Sequence, residues 1–221
     1  MKKQLSEEET IVWKEQKRVM TLQSVPVLEI SMAWPEWTGR GALGKSAGRY
    51  YQKLVSAWKK RWEREIYLCA CCALAQCREE TRNFSCWRAA LGGSVTEDGE
   101  EYLSIAMWAR EDRGEGRVLE HRWGDTWRKG DGMPVTLKEV FVGEKHWRRQ
   151  VKRNLRGAAQ TCREQGVFLD DGAEQKLLRW FSPEAFSLYP DRLEFYFPQC
   201  AVAPAVEGAV SLSVPRPGKG A

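Results

Sequence analysis

With 221 residues, 43% hydrophobic and 29% charged, the chain has a globular composition and enough length to bury a core without metal or disulfide staples. No run of about 18 apolar residues occurs, which excludes a membrane-spanning helix. The charged start, residues 1–9, has no apolar run after its lysines, which reads against a secretory signal and places the chain in the cytoplasm. Seven cysteines, five of them crowded between Cys69 and Cys86, indicate a reduced complement rather than a disulfide framework. The net charge of +5 favours acidic partners without by itself implying nucleic acid.

Residues 1–24 read as a charged arm, in which 2–18 form a short helix or a mobile segment because Leu5, Ile11, Val12 and Val19 are too sparse to force a buried face. Residues 25–34 alternate, with Leu28, Ile30, Met32 and Trp34 on one side, and predict a half-buried strand. Pro35 and the glycines at 39, 41 and 44 are taken to end it. Those glycines are read as punctuation, and no nucleotide-binding or nucleophile-elbow motif is assigned. Residues 46–76 predict a long helix capped by Ser46, with Tyr51, Leu54, Val55, Trp58, Trp62, Ile66 and Cys69 as its apolar stripe.

Around the tight turn Asp98-Gly99, residues 85–95 and 102–109 predict an antiparallel pair. Residues 110–117 turn the chain, and 118–127 add a third strand with Leu119, Trp123 and Trp127 on one face. A second amphipathic helix is expected over 144–165, its apolar stripe formed by Trp147, Val151, Leu155, Ala158 and Cys162. A short helix over 173–181, a hairpin over 186–197 around Tyr189-Pro190-Asp191, and a strand through Val210, Leu212 and Val214 complete the chain. The tail, 216–221, reads as disordered. The class is therefore α+β: an antiparallel meander packed by a long helix (25–128), then a smaller helix-plus-hairpin unit (129–215).

Five groups of residues are candidates for chemistry or binding. Cys69 and Cys72 have CxxC spacing, with Cys77 and Cys86 as further thiols for a metal or redox site; their place within a helix favours small buried residues instead. His121 and His146 are the two histidines, and HExxH is absent. The carboxylate pairs Asp112 with Glu115 and Asp170 with Asp171 sit among turn residues, where local backbone hydrogen bonding explains them. The chain is accordingly expected to be non-enzymatic and to need no cofactor. Lys145, Arg148, Arg149, Lys152 and Arg156 form a basic stripe on the second helix, suited to phosphates or an acidic protein surface; nucleic acid is the alternative partner it offers. Trp108, with Arg110, Arg113 and Arg117, supplies the aromatic and cationic side chains favoured at protein-binding surfaces.

The C-terminal third carries the most specific pattern. Leu193-Glu194-Phe195-Tyr196-Phe197 is followed by Val202-Ala203-Pro204-Ala205-Val206-Glu207-Gly208 and a closing strand Val210-Ser211-Leu212-Ser213-Val214-Pro215. This resembles the C-terminal domain (domain of unknown function 3298) of RsiV-type anti-sigma factors. Gly124-Asp125-Thr126-Trp127 and Gly132-Met133-Pro134-Val135-Thr136-Leu137 are similar to the segments that lead into it. The stretch 25–76, with the Asp98-Gly99 hairpin, resembles the partner domain also found in PdaC-type peptidoglycan deacetylases, whose catalytic domain is separate. The resemblance implies a compact non-catalytic α+β unit that recognises a protein, lysozyme among them, or a cell-wall-related ligand.

Overall fold

The computed structural model describes residues 9–39 and 41–217, so the expectations for residues 2–8 and for the tail beyond Pro217 fall outside it. Thr10–Leu22 (β1) and Val25–Thr38 (β2) pair antiparallel, from Thr10 opposite Thr38 to Leu22 opposite Val25. This corrects the helix-or-arm reading where it covers residues 10–18. The two linking residues, Gln23 and Ser24, both have positive φ, 51° and 66°, the backbone geometry that suits a right-twisted two-residue hairpin. Pro35 does not end β2 but lies opposite Trp13 within the ladder. The strand's other ladder covers only Leu28 to Met32, so the missing proline N–H breaks no pairing on that side.

Ala42–Arg61 (α1) follows with Gly41 as N-cap, so Ser46 lies inside the helix rather than capping it. A π turn, Trp62–Ile66, joins α1 to Tyr67–Glu79 (α2) without a break. The next strand, Trp87–Asp98 (β3), returns parallel to β2, with Leu28 opposite Trp87 and Met32 opposite Leu91. The sheet is therefore mixed, where an all-antiparallel one was expected, and the long helix is the crossover that a parallel pair requires. Tyr102–Asp112 (β4) and Val118–Arg128 (β5) complete the five-stranded order β1-β2-β3-β4-β5.

Near the end of β4, Glu111 is 2% exposed. It accepts hydrogen bonds from Arg61 Nε (2.7 Å), Trp62 Nε1 (3.0 Å) and Arg113 (2.6 Å). Burial pushes its carboxyl up, but the bonds from Arg61, Arg113 and Trp62 and the charge of Arg61 outweigh this and hold it below its ordinary value. A carboxyl depressed in the folded state contributes stability that is complete above its unfolded value, near 4.5, and is lost as pH falls through the depressed one.

The chain forms two compact units that interleave along the sequence. One comprises Met1–Gly92, Ala109–Leu119 and Gly130–Gly132; the other comprises Gly93–Trp108, Glu120–Lys129 and Met133–Ala221. In the second, Leu137–Val140 (α3) opens with a capping box between Thr136 and Glu139. Trp147–Glu164 (α4) and Ala173–Trp180 (α5) precede a three-stranded antiparallel sheet of Phe186–Leu188 (β6), Arg192–Phe197 (β7) and Val210–Pro215 (β8). Val151, Leu155 and Ala159 of α4 bury against Leu193, Phe195, Phe197, Leu212 and Val214, as period 3.6 meeting period 2 predicts.

Two details lock β6 in place. The buried hydroxyl of Ser104 accepts the Leu188 N–H at 2.8 Å and lies 3.0 Å from the Thr126 hydroxyl, so these buried polar groups are satisfied. A Cβ on Gly124 would fall 2.4 Å from the Phe186 carbonyl carbon and 2.3 Å from Ser187 Oγ, so only glycine allows this approach. Arg216 is also fixed, contrary to the disordered-tail reading. It bonds Glu97 and the Tyr189 carbonyl, both at 3.1 Å, with its side chain 13% exposed. No helix among the described residues is long and apolar enough to cross a membrane.

Two outcomes follow for urea unfolding. Glu111→Gln should cost about 2–3 kcal/mol at neutral pH by stranding its donors, and the deficit should shrink below about pH 4. A deficit independent of pH would remove the ionic account. Gly124→Ala should cost more than about 2 kcal/mol, since backbone must move to admit one methyl; near-neutrality would show that β5 and β6 are not in register-fixing contact.

Candidate functional site

The N-terminal half of α4 turns its apolar stripe into the core and leaves the opposite face to cations. His146, Arg148, Arg149, Lys152, Arg153 and Arg156 line an open groove of about 790 Å³, closed on one side by Leu178 of α5. A second hollow of about 470 Å³ adds Lys138, Lys145 and Trp147 to His146, Arg148 and Arg149. Of the expected basic stripe, Arg148, Arg149, Lys152 and Arg156 line the first groove together with Arg153, which the sequence pattern omitted although it lies four residues after Arg149, and Lys145 lines the second.

These charges are not used to hold the fold together. Arg149, Lys152, Arg153 and Arg156 are exposed and make no ion pair among the described residues. Instead they repel one another. Arg148 with Lys152, Arg149 with Arg153 and Lys152 with Arg156 are four apart, and like charges at that spacing cost a helix roughly 0.2–0.5 kcal/mol per pair. The first turn of α4 contains no acidic residue, so its cations also oppose the positive end of the helix dipole. Beside the groove, Trp147 stacks on Phe141 with centroids 6.1 Å apart, and the Arg148 guanidinium lies 5.2 Å from the Trp147 centroid. Cations, a helix N-terminus and a cation–π stack make a surface suited to an anion that also presents flat rings.

The other candidates disperse. Trp108 is 40% exposed and Arg110 is exposed, whereas Arg113 is tied to Glu111 and Arg117 to Glu115 at 2.9 Å. Asp112 accepts the Gly114 N–H at 3.1 Å, a local backbone bond of the kind its turn position suggested, whereas Asp170 forms a side-chain ion pair with Lys176 at 2.5 Å. Cys69 and Cys72 are exposed, Cys86 half-buried and Cys77 buried. No group of three His, Cys, Asp or Glu among the described residues is placed to hold a metal ion. The reading of Cys69 and Cys72 as buried is overturned, because the π turn shifts the phase of the helix.

One motif was missed. Gly39 to Ser46 reads Gly-Arg-Gly-Ala-Leu-Gly-Lys-Ser, which has both GxGxxG and GxxxxGKS spacing, and Gly44 to Gly48 has GxSxG spacing. It also lies between a strand and a helix, the context such motifs require. The folded segment nevertheless differs from a phosphate loop. Helix α1 begins at Ala42, inside the motif, so too little loop is left to wrap a phosphate. The helix head is already occupied: Glu9 accepts the Gly44 N–H at 3.0 Å, and a Cβ on Gly41 would lie 2.1 Å from its carboxyl carbon. Ser46 is helical, not poised on a sharp elbow. The glycines serve the close approach of Glu9 and of the Trp37 ring, whose Cβ lies 3.0 Å from where a Gly44 Cβ would sit.

A mixed α+β module with a helix-borne cationic groove is the class that these features define. Solved structures place its fold more narrowly. It is similar to a member of the DUF3298 family from Bacteroides fragilis, with a TM-score of 0.62 and 13% identity over 94% of this chain and 90% of that one. It is also similar to a DUF3298 family protein from Pseudomonas aeruginosa, with a TM-score of 0.52 and 12% identity over 95% and 91% of the two chains. At these identities the likeness is one of fold. No protein-family model matches the sequence, and no curated protein sequence matches it.

Because Arg153 is surrounded by like charges, Arg153→Glu should raise the thermal midpoint slightly at low ionic strength, the new carboxylate pairing with Arg149 and Arg156. An unchanged or lower midpoint in calorimetry would mean that the cations are not held at the expense of stability.

Proposed function

We propose that this chain is a non-catalytic binding module whose ligand is a phosphodiester polymer held along the basic face of α4. The observation that carries the reading is the set of exposed cations, Arg149, Lys152, Arg153 and Arg156, which have no carboxylate partner among the described residues and whose mutual repulsion weakens the helix. The RsiV-type resemblance supports a recognition role and suggests protein or cell-wall ligands. Of these, an acidic wall polymer matches the sign of the groove, and a cationic protein of the lysozyme kind does not. Arginine outnumbers lysine in the groove, which favours phosphate, since the guanidinium fork takes two phosphate oxygens at once. The Trp147–Arg148 stack offers a platform for the rings of a single-stranded nucleic acid.

The test is fluorescence anisotropy with a labelled single-stranded oligonucleotide, a glycerol-phosphate polymer and polyglutamate across a salt series. With about five cations engaged, log K for the oligonucleotide should fall against log salt with a slope of about −3.5. Arg149→Glu together with Arg153→Glu should lower affinity at least tenfold while leaving the fold intact. Preference for polyglutamate would transfer the assignment to an acidic protein surface, and salt-insensitive binding would remove it. The oligonucleotide and glycerol-phosphate arms separate nucleic acid from a wall polymer.

A further inference from the structure

Helix α2 is apolar on two opposite sides. Ala70, Leu74 and Cys77 are buried, yet on the other side Leu68 is 61% exposed, and Cys69, Cys72 and Ala75 are exposed as well. A helix apolar all round is ordinarily covered all round, and free cysteine is among the residue types most often buried. Leu68, Cys72 and Ala75 are spaced by four and then three residues, the seam along which one helix packs on another.

The ends of this seam say what covers it. Arg64, in the π turn preceding Leu68, heads the stripe, and Glu79, four residues beyond Ala75, closes it. Both are exposed, and neither has an ion-pair partner among the described residues. Arg64 and Glu79 lie equally far from the midpoint between Cys71 and Cys72, and so do Leu68 and Ala75. The stripe is therefore complementary to itself when reversed. We propose that α2 docks antiparallel against α2 of a second copy of this chain, about a two-fold axis passing beside Cys72. Arg64 of each copy then meets Glu79 of the other, and each Leu68 covers an Ala75, a large residue opposite a small one. A seam about 20 Å long buries less than a standard interface, so the dimer forms in a concentration-dependent way. Self-complementarity of this kind is what a two-fold contact demands.

Analytical ultracentrifugation of the full chain tests it through a charge exchange. The parent protein should show a monomer–dimer equilibrium, and Arg64→Glu and Glu79→Arg should each weaken it at least tenfold, because each homodimer then contains two like-charge contacts. An equimolar mixture of the two variants should recover association to within about threefold of the parent as a heterodimer, which misfolded chains could not do. Copper phenanthroline should cross-link the parent dimer through Cys72, each thiol losing its proton to solvent and one electron to copper(II), with the product lost in Cys72→Ser. A parent that stays monomeric, a dimer indifferent to both charge reversals, or a mixture that fails to recover would each overturn the proposal.

Discussion

The hydrogen bond from the Trp62 indole to the buried Glu111 carboxylate, at 3.0 Å, fixes the point at which the long helix changes phase. Up to Trp62 the buried positions of the helix are Leu43, Ala47, Tyr51, Val55 and Trp62 itself. An uninterrupted α-helix would continue this stripe through Cys69. The π turn at Trp62–Ile66 adds a residue to the winding, and the buried positions become Ile66, Ala70, Leu74 and Cys77. The Tyr67 hydroxyl donates to the Thr21 carbonyl at 2.9 Å, and Arg78 donates to the Gln23 side chain at 3.0 Å, so the shifted phase is fastened at both ends of α2. Removing the π turn would bury Cys69 and turn Ala70 outward. The exposure of Leu68 and Cys72 is thus a consequence of how Trp62 and Glu111 meet.

In α4 the two faces answer to different demands. Val151, Leu155 and Ala159 are each 0% exposed and supply the burial that keeps the helix folded, at roughly 1.5–3 kcal/mol for each large aliphatic side chain. That contribution exceeds the repulsion among Arg148, Arg149, Lys152, Arg153 and Arg156, so the helix tolerates a charge pattern that would weaken it in isolation. The same arrangement leaves the cations preorganised on a rigid element, and a ligand need not bear the cost of ordering a loop around itself.

Legibility in the sequence followed the range of the interactions involved. The alternation in β2, β7 and β8 and the stripe in α4 are local patterns set by strand and helix periods, and they appear where periodicity puts them. The β1–β2 hairpin was hidden because Gln23-Ser24 adopts positive φ without the glycine or asparagine that normally announces it, and because the charged residues that suit an exposed strand edge make β1 look like a solvated arm. The parallel pairing of β2 with β3 joins residues some sixty positions apart, and nothing local records it. The π turn depends on Glu111, fifty residues from Arg61, so the burial of the cysteines was misjudged from the helix alone. At Gly39–Ser46 the failure runs the other way: the spacing is visible in the sequence, but only the position of Glu9 shows that the helix head is filled from within.

A fold shared at 12–13% identity constrains the buried positions, because these must fill the same space between the same elements. It says little about Arg149, Lys152, Arg153 or Arg156, which touch none of that core and could each be exchanged without altering the backbone. A shared fold therefore does not carry a ligand preference over to these residues. Arg149, Lys152, Arg153 and Arg156 have no ion-pair partner among the described residues, weaken the helix by mutual repulsion and line one groove. Under the proposed reading such residues answer to a ligand, and the charge of the groove sets the sign that this ligand would carry.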